Sequence, residues 1–412
     1  MKSHYKRIGD YVTQIKLKNT DDSISSLKGI NINKHFMPSV ANINGTDLSK
    51  YRVVKKNQFA FNPMHVGRDE VLPISMLEDD EPIIVSPAYV VFEVKDEEKL
   101  LPEYLMMWCR RSEFDRNAWF MTDNSVRGGF SWADFCDMEL PVPSIEKQRE
   151  IVREYNVVND RIALNEQLTQ KLEDTAQALY KQWFVDFEFP ISKEYAESIG
   201  KPELEGKPYK SSGGDMEYCE SLEKTIPMNW DVANLSELVK MSQGIQVEVD
   251  EQFYVKNDGM LRFIRIIDYS KNSYEPPRYI ENKGIRYYCE RDDIVMIRYG
   301  DAGKVCRGLA GLIANNLFKI SPLDRLTKSY LYYFLSSDVI QHQIRGDKAS
   351  TTMPAITHKS INALTTVLAP TPILGEFESY SAKLDRFLTC YQDQLDVLQQ
   401  LKSIVLQRMS KA

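Results

Sequence analysis

The chain is poor in the features that mark an active site, a membrane anchor or a stapled fold. Its 6 cysteines (Cys109, Cys136, Cys219, Cys289, Cys306 and Cys390) are scattered, with no C-x-x-C pair. That spacing argues against a zinc ribbon, a thioredoxin-type motif or a disulfide framework, and leaves free thiols in a reducing cytoplasm as the expectation. The 5 histidines (His4, His35, His65, His342, His358) show no H-E-x-x-H or other metal spacing. No run of about 18 apolar residues offers a transmembrane helix, and the opening MKSHYKRIGDYVTQ lacks the apolar stretch of a secretion signal. Nucleophile elbows of the form G-x-S-x-G are missing as well. The stretch Gly300-Asp301-Ala302-Gly303-Lys304-Val305 has the wrong glycine spacing for a phosphate-binding P-loop and no Ser or Thr after the lysine. Asn62-Pro63-Met64 is the nearest approach to the N/D-P-P-aromatic motif of an amino-methyltransferase, and it lacks the second proline and the aromatic. Glu93-Val94-Lys95, downstream of Asp79 and Asp80, fits the loose acidic-x-Lys pattern of Mg²⁺-dependent nucleases. A solvated Glu/Lys pair at the end of an apolar strand gives the same pattern. The expectation is a chain with no catalytic residue, no metal and no cofactor of its own, and hence a binding protein.

Basic excess is also lacking. Lys and Arg number 52 against 59 Asp and Glu, a net charge of −7. This argues against a protein that simply coats DNA, but leaves room for local basic loops, since the field at a groove depends on how charge is distributed.

What the sequence does contain is a repeat. At 412 residues the chain is long enough for two or more domains, and its 43% hydrophobic content is ordinary for globular cores. In the first half, LPEYLMMWCRRSEF (100–114) is followed by the polar loop MTDNSVRGGFSW (121–132) and then LPVPSIEKQREI (140–151). In the second, TKSYLYYFLSSDVI (327–340) is followed by RGDKASTTMPAITHKS (345–360) and LTTVLAPTPILGEFESY (364–380). Tyr104 and Leu105 match Tyr330 and Leu331; Pro141 and Pro143 match Pro370 and Pro372.

After each proline pair the pattern predicts a long helix. Ile151, Val158, Asn165, Leu172 and Leu179 recur every seven residues, with Tyr155, Ile162, Thr169, Ala176 and Trp183 as a second series. In the second helix, Phe377, Leu384, Tyr391, Leu398 and Val405 repeat, flanked by Tyr380, Phe387, Gln394 and Leu401. Such seams mark helices that pair as a coiled coil, each about 55–60 Å long at 1.5 Å per residue. An ordinary buried helix would also carry a stripe, and Asn165 suits either a register-fixing polar layer or a solvated end of the contact. The expected organisation is a globular domain over 1–143, a helix over 144–184, a connector over 185–226 that passes from ordered to flexible, a second globular domain over 227–370 and a second helix over 371–412. Strand-like runs at 82–94, 261–269 and 293–300 mark both globular parts as mixed α/β, with antiparallel or mixed sheet and no Rossmann rhythm.

Polar and basic loops on rigid scaffolds are where recognition resides. In the first domain the candidates for DNA contact are Lys55, Lys56, Asn62, His65, Arg68, Asn124, Ser125 and Arg127. In the second they are Arg298, Tyr299, Lys304, Arg307, Lys348, Thr351 and Thr352. Arg reads guanine and Asn reads adenine by paired hydrogen bonds, while Lys, Ser and Thr mostly take phosphate.

The stretches VSPAYVVFEV (85–94), SVRGGFSWADFCDMELPVPSIEKQREI (125–151), ALYKQWFVDFEFP (178–190) and GKPYKSSGGDMEYCESLEKTIPMNWDV (206–232) resemble the HsdS-type DNA specificity subunits of Type I restriction–modification systems. With the repeat, the resemblance covers nearly the whole chain. It implies two pseudo-symmetric target recognition domains, each reading half of a split site on double-stranded DNA, with antiparallel helices as a spacer that sets the gap. Also implied are two modification subunits that bind S-adenosylmethionine and methylate adenine, and restriction subunits that use ATP and Mg²⁺ and dock through them. The cofactors then belong to the partners, and no membrane is involved. A stand-alone nuclease and a protein-assembly adaptor are the competing readings.

Overall fold

The computed structural model describes residues 5–39, 46–64, 66, 70–122, 129–270, 275–346 and 355–411. The chain forms two compact units, Met1–Glu166 with Gln394–Ala412, and Gln167–Asp393. The division falls inside the two long helices and leaves the connector within the second unit.

In the first unit, β1 (Tyr5–Arg7) pairs antiparallel with β10 (Glu139–Pro141), which leads into the first long helix. A four-stranded antiparallel sheet runs in the order β2 (Val12–Ile15), β9 (Val90–Val94), β6 (Phe59–Phe61), β7 (Ile74–Met76). Beside it, β3 (Lys28–Ile30) pairs with β4 (Phe36–Pro38), and β5 (Arg52–Val54) with β8 (Ile83–Val85); a parallel bridge joins Leu27 to Ile84. The apolar face of the first sheet is aromatic. Phe59 stacks on Phe92 at 4.8 Å, and Phe135 lies 4.8 Å from Phe92 and 5.4 Å from Phe61. Phe135 sits on α3 (Trp132–Asp137), whose start is fixed by a reciprocal cap: Asp134 N–H donates to Ser131 Oγ and Ser131 N–H to the Asp134 carboxylate. Helices α1 (Pro102–Cys109) and α2 (Ser112–Met121) cover this core.

The second unit repeats the plan in a different sequence. Strand β13 (Asp231–Asn234) pairs with β22 (Thr365–Leu368) ahead of the second long helix, as β1 does with β10. Its four-stranded antiparallel sheet runs β14 (Val239–Gln243), β21 (Leu317–Pro322), β18 (Ile294–Ile297), β19 (Val305–Cys306), the same order by position as in the first unit. The second sheet, β16 (Arg278–Glu281), β15 (Met260–Ile264), β20 (Gly311–Ile313), β17 (Tyr288–Cys289), is parallel only at β15 and β20, where the first unit has its parallel bridge. Helices α7 (Lys328–Ser336) and α8 (Asp338–Arg345) correspond to α1 and α2. Both globular parts are mixed α/β with largely antiparallel sheet, as the sequence suggests.

The connector departs from expectation. Phe189 stacks on Tyr209 at 4.6 Å and on Trp230 at 5.2 Å, and Phe187 and Ile191 are also buried. A hairpin of β11 (Met216–Cys219) and β12 (Lys224–Pro227) follows α5 (Lys193–Ser198). Prolines and glycines break regular structure here, but the aromatic residues anchor the segment to the core of the second unit.

The long helices are α4 (Ile145–Phe184) and α10 (Thr371–Arg408). In the first unit they pair antiparallel: Arg408 meets Glu154 at 2.8 Å, and Asn165 Nδ2 donates to Gln394 Oε1 at 3.2 Å. In the second, Trp183 and Phe184 pack on Phe377 at 5.7 and 4.9 Å. On α4 both expected series face inward: Ile151, Tyr155, Val158, Asn165, Ala176 and Trp183 are buried, and Ile162, Thr169, Leu172 and Leu179 half-buried. On α10 the main series also faces inward, with Phe377 and Val405 buried and Leu384, Tyr391 and Leu398 half-buried. Its companion series does so only at Gln394, which is half-buried and meets Asn165. Tyr380, Phe387 and Leu401 are exposed, and the inward positions are Leu374, Ser381, Leu388, Leu395, Lys402 and Met409, one residue further on than the flanking set. Ser381 and Lys402 interrupt the true stripe, so an apolar count favours the wrong one.

Each helix is tied to its own globular part by a side chain that caps a shorter helix. Gln148 is fully buried; its Oε1 accepts Leu101 N–H at 2.9 Å, and its Nε2 donates to Lys99 O at 2.9 Å and Pro143 O at 3.0 Å. In the second unit Glu378 accepts Ser329 N–H at 3.1 Å. Replacing Gln148 by Glu keeps the acceptor but sets a carboxylate against two carbonyl oxygens. We expect Gln148→Glu to destabilise the chain by about 2–3 kcal/mol, read as a lower urea midpoint at unchanged slope.

Candidate nucleic-acid interface

In both units two polar segments meet at the same end of the four-stranded sheet. In the first, the loop leaving β6 at Asn62 is joined to the segment after α2 by Phe130 N–H donating to Pro63 O at 3.0 Å. In the second, the loop leaving β18 at Arg298 is joined to the segment after α8 by Ile356 N–H donating to Arg298 O at 3.0 Å. Each unit therefore presents a paired loop on a rigid sheet, the arrangement that binding sites favour.

In the second unit the loop runs from Arg298 into β19. Gly300 and Gly303 adopt φ of 78° and 89°, which permits the tight return into β19. Gln341 Nε2 donates to Gly303 O at 3.0 Å, and Arg345 lies 3.9 Å from Asp301. Tyr299 is 38% exposed, with the Arg298 guanidinium 5.0 Å from its ring, a cation–π contact at the loop tip. His358 stands behind the loop, edge-on to Phe318 at 4.9 Å; burial and then the nearby Arg298 charge hold its pKa below the ordinary value. The imidazole therefore stays neutral at pH 7, leaving Arg298 as the charged group. Lys304 pairs with Asp301 at 3.5 Å in the open.

In the first unit, Asn62 Oδ1 accepts Met64 N–H at 3.0 Å and so shapes its own loop. His65, Arg68, Asn124, Ser125 and Arg127 lie outside the described residues, as do Lys348, Thr351 and Thr352 in the second. Lys55 and Lys56 do not join Asn62. They occupy the turn at the opposite end of β6, where Lys56 pairs with Asp80 at 2.7 Å and lines a cleft with Glu78, Glu103, Arg110 and Tyr155.

Arg307 is a correction. It was expected to contact DNA, but its guanidinium turns inward. It forms two hydrogen bonds to Asp385 of α10, at 2.6 and 2.9 Å, donates to Tyr333 Oη at 3.0 Å and stacks 3.9 Å from the Tyr332 ring. Its position directly after a glycine-bearing loop hid a partner 78 residues away in sequence. The Glu93-x-Lys95 pattern likewise has structural partners: Gln58 Nε2 donates to Glu93 at 2.9 Å, and Lys95 Nζ to Gly9 O at 3.0 Å. Sequence reasoning also missed Trp119, Phe120 and Met121, exposed in the last turn of α2 beside the 123–128 segment, with Phe120 85% exposed. Their signal was three adjacent large apolar residues ahead of a polar loop.

No family model matches the chain. Over 282 residues it is 23% identical to the Type I restriction enzyme MjaIX specificity subunit of Methanocaldococcus jannaschii, covering 66% of this chain and 60% of that one. Over 225 residues it is 29% identical to the Type I restriction enzyme HindI specificity subunit of Haemophilus influenzae, covering 53% and 48%. The chain resembles Type I specificity subunits. It thus spans less than two thirds of the length of either relative. The crystal structure of the S subunit of a Type I restriction–modification system from M. genitalium matches with a TM-score of 0.52 at 12% identity, over 98% of this chain and 95% of that one. That likeness shows the specificity-subunit fold: mixed α/β globular parts with long paired helices.

The two arginines of the second unit should separate cleanly. Arg307→Ala strands the Asp385 carboxylate in a site 31% exposed and should cost about 3 kcal/mol of stability. Arg298→Ala, at a loop tip, should cost about 0.5 kcal/mol. Urea denaturation of both variants checks the ranking.

Proposed function

We propose that the chain is the DNA specificity subunit of a Type I restriction–modification complex. Each globular part reads one half of a split site on double-stranded DNA, the paired helices set the gap between the halves, and the chemistry is performed by partner subunits. The observation that carries this reading is the duplication itself: one sheet order, made twice from different sequence, brings two polar loops together at the same end each time and leads into a long helix each time. A reader of one continuous site has no need of two such scaffolds.

On this reading the chain is non-catalytic and works in the cytoplasm. Two methyltransferase subunits bind S-adenosylmethionine and methylate adenine, and restriction subunits dock through them and supply the ATP- and Mg²⁺-dependent steps. Basic surfaces on those partners add phosphate contacts that a chain of net charge −7 does not supply by itself. Arg298 and Tyr299 are the first candidates for base contact in the second half-site, Arg298 by paired hydrogen bonds to guanine.

Co-expression with the methyltransferase subunit, followed by genome-wide mapping of methylated adenine, tests this reading. A heptad added to each long helix at facing positions lengthens the pair by about 10 Å, or about three base pairs at 3.4 Å each. The gap should widen by that amount with both half-site sequences unchanged; an unaltered gap would sink the ruler. Arg298→Ala should lower methylation about tenfold, the effect of one lost bidentate base contact, while its melting temperature stays near that of the parent.

A further inference from the structure

We propose that Arg307 and Arg291 clamp the second recognition domain at one fixed position along α10, and that this clamp, as well as helix length, sets the gap between the half-sites. The inference rests on the specificity-subunit reading above and assigns a positioning role within it.

The two arginines leave adjoining backbone, for Gly308 N–H donates to Arg291 O at 2.7 Å. From there they reach carboxylates eight residues apart on α10. Arg307 grips Asp385 through both terminal nitrogens, and Arg291 grips Asp393 the same way at 2.7 and 3.3 Å. Glu378, which accepts from Ser329 at the start of α7, lies seven residues before Asp385. Spacings of seven and eight place Glu378, Asp385 and Asp393 on one broad face of the helix, over about 22 Å of its length.

Three features separate this row from an ordinary scatter of surface ion pairs. First, both arginine contacts are bidentate, and a planar guanidinium meets a carboxylate in this way in one orientation only. Second, Arg307 is 17% exposed and is fixed further by Tyr332 below it and Tyr333 Oη beside it. Third, Asp385 is desolvated enough that burial raises its pKa in spite of Arg307. Apolar side chains would cover this face at lower cost in desolvation, but a greasy contact tolerates sliding by a fraction of a turn. Two forks on two carboxylates do not. The first unit has no such row among the described residues: besides the apolar packing of Ile151 and Tyr155, its globular part meets α4 through Gln148 and the neighbouring Arg149–Glu98 pair at 3.2 Å.

The test uses the full chain in complex with its methyltransferase subunit, on a plasmid library carrying the split site with every gap length. Two single variants are compared with the parent. Arg291→Ala removes the exposed grip and should leave the fold intact. Arg307→Lys keeps the charge but loses the fork. Both should raise methylation at gaps one base pair shorter and longer, about fivefold for the exposed grip and more for Arg307→Lys, with half-site sequences unchanged. The exchanged pair R291D/D393R should restore the parent's narrow distribution. If the variants lower methylation at the native gap without raising it at neighbouring gaps, or if the exchange restores nothing, the residues only stabilise the fold and the clamp is overturned. A parent complex that methylates no split site would overturn the functional reading, and the clamp with it; a parent with one sharp gap and variants with the same sharp gap overturn the clamp alone.

Discussion

Everything in this chain depends on two helices that cannot stand alone. Helices α4 and α10 run for 40 and 38 residues, and each carries an inward stripe at alternating spacings of three and four. In water such a stripe leaves large side chains bare, and isolated helices gain too little from their own hydrogen bonds to persist. Covering the stripe is therefore the condition for the rest of the fold. In the first unit the partner is the other helix and the aromatic core, where Ile151, Tyr155, Val405 and Met409 share one cluster. In the second it is the aromatic set of Tyr180, Trp183, Phe184, Tyr330 and Phe377. Each globular part is fastened to a helix at the place where the chain passes from strand to helix, through Gln148 in one and Glu378 in the other.

That arrangement explains why the two globular parts can differ so widely in sequence and agree in topology. Strand order and the strand that feeds each helix are fixed by how the helix must be entered. Side chains on the loops at the far end answer to no such requirement. The first unit places Trp119, Phe120 and Met121 at the end of the helix before its polar loop, whereas the second places His342 and Arg345 there. One scaffold made twice thus offers different chemistry at corresponding positions, which is what the proposed reading of a split site with unlike halves requires.

The repeat, the long helices and the mixed α/β character were legible because each leaves a local trace: matching Tyr-Leu and Pro-x-Pro marks, a seven-residue period, alternating apolar runs. What escaped detection depends on contacts distant in sequence. Apart from Gln394, which meets Asn165, the companion series on α10 was misplaced by one residue because the inward positions include Ser381 and Lys402, while the exposed Tyr380, Phe387 and Leu401 imitate a stripe. Arg307 looked like a loop cation because Asp385 is far away in the chain, although the Tyr332-Tyr333 pair that cages it was visible. Lys55 and Lys56 precede Asn62 by only a few residues, yet a strand between them carries the two to opposite ends of the sheet. The candidate interface was legible as loops and much less so as individual residues.

The acidic balance of the chain then takes on a different meaning. A count of charges treats every carboxylate as one that a phosphate would feel. Many are committed inside the protein: Asp385 and Asp393 to arginines, Asp293 to Lys319 and Lys328, Asp115 to the buried Lys34. A close ion pair presents little net field beyond about one Debye length, so these acids cancel locally and are silent at the loop tips. Arg298, by contrast, forms no ion pair among the described residues, and the neutral His358 behind it adds no competing charge. At the described loop of the second unit the unmatched cation is Arg298, and net charge is a poor guide to the local field there.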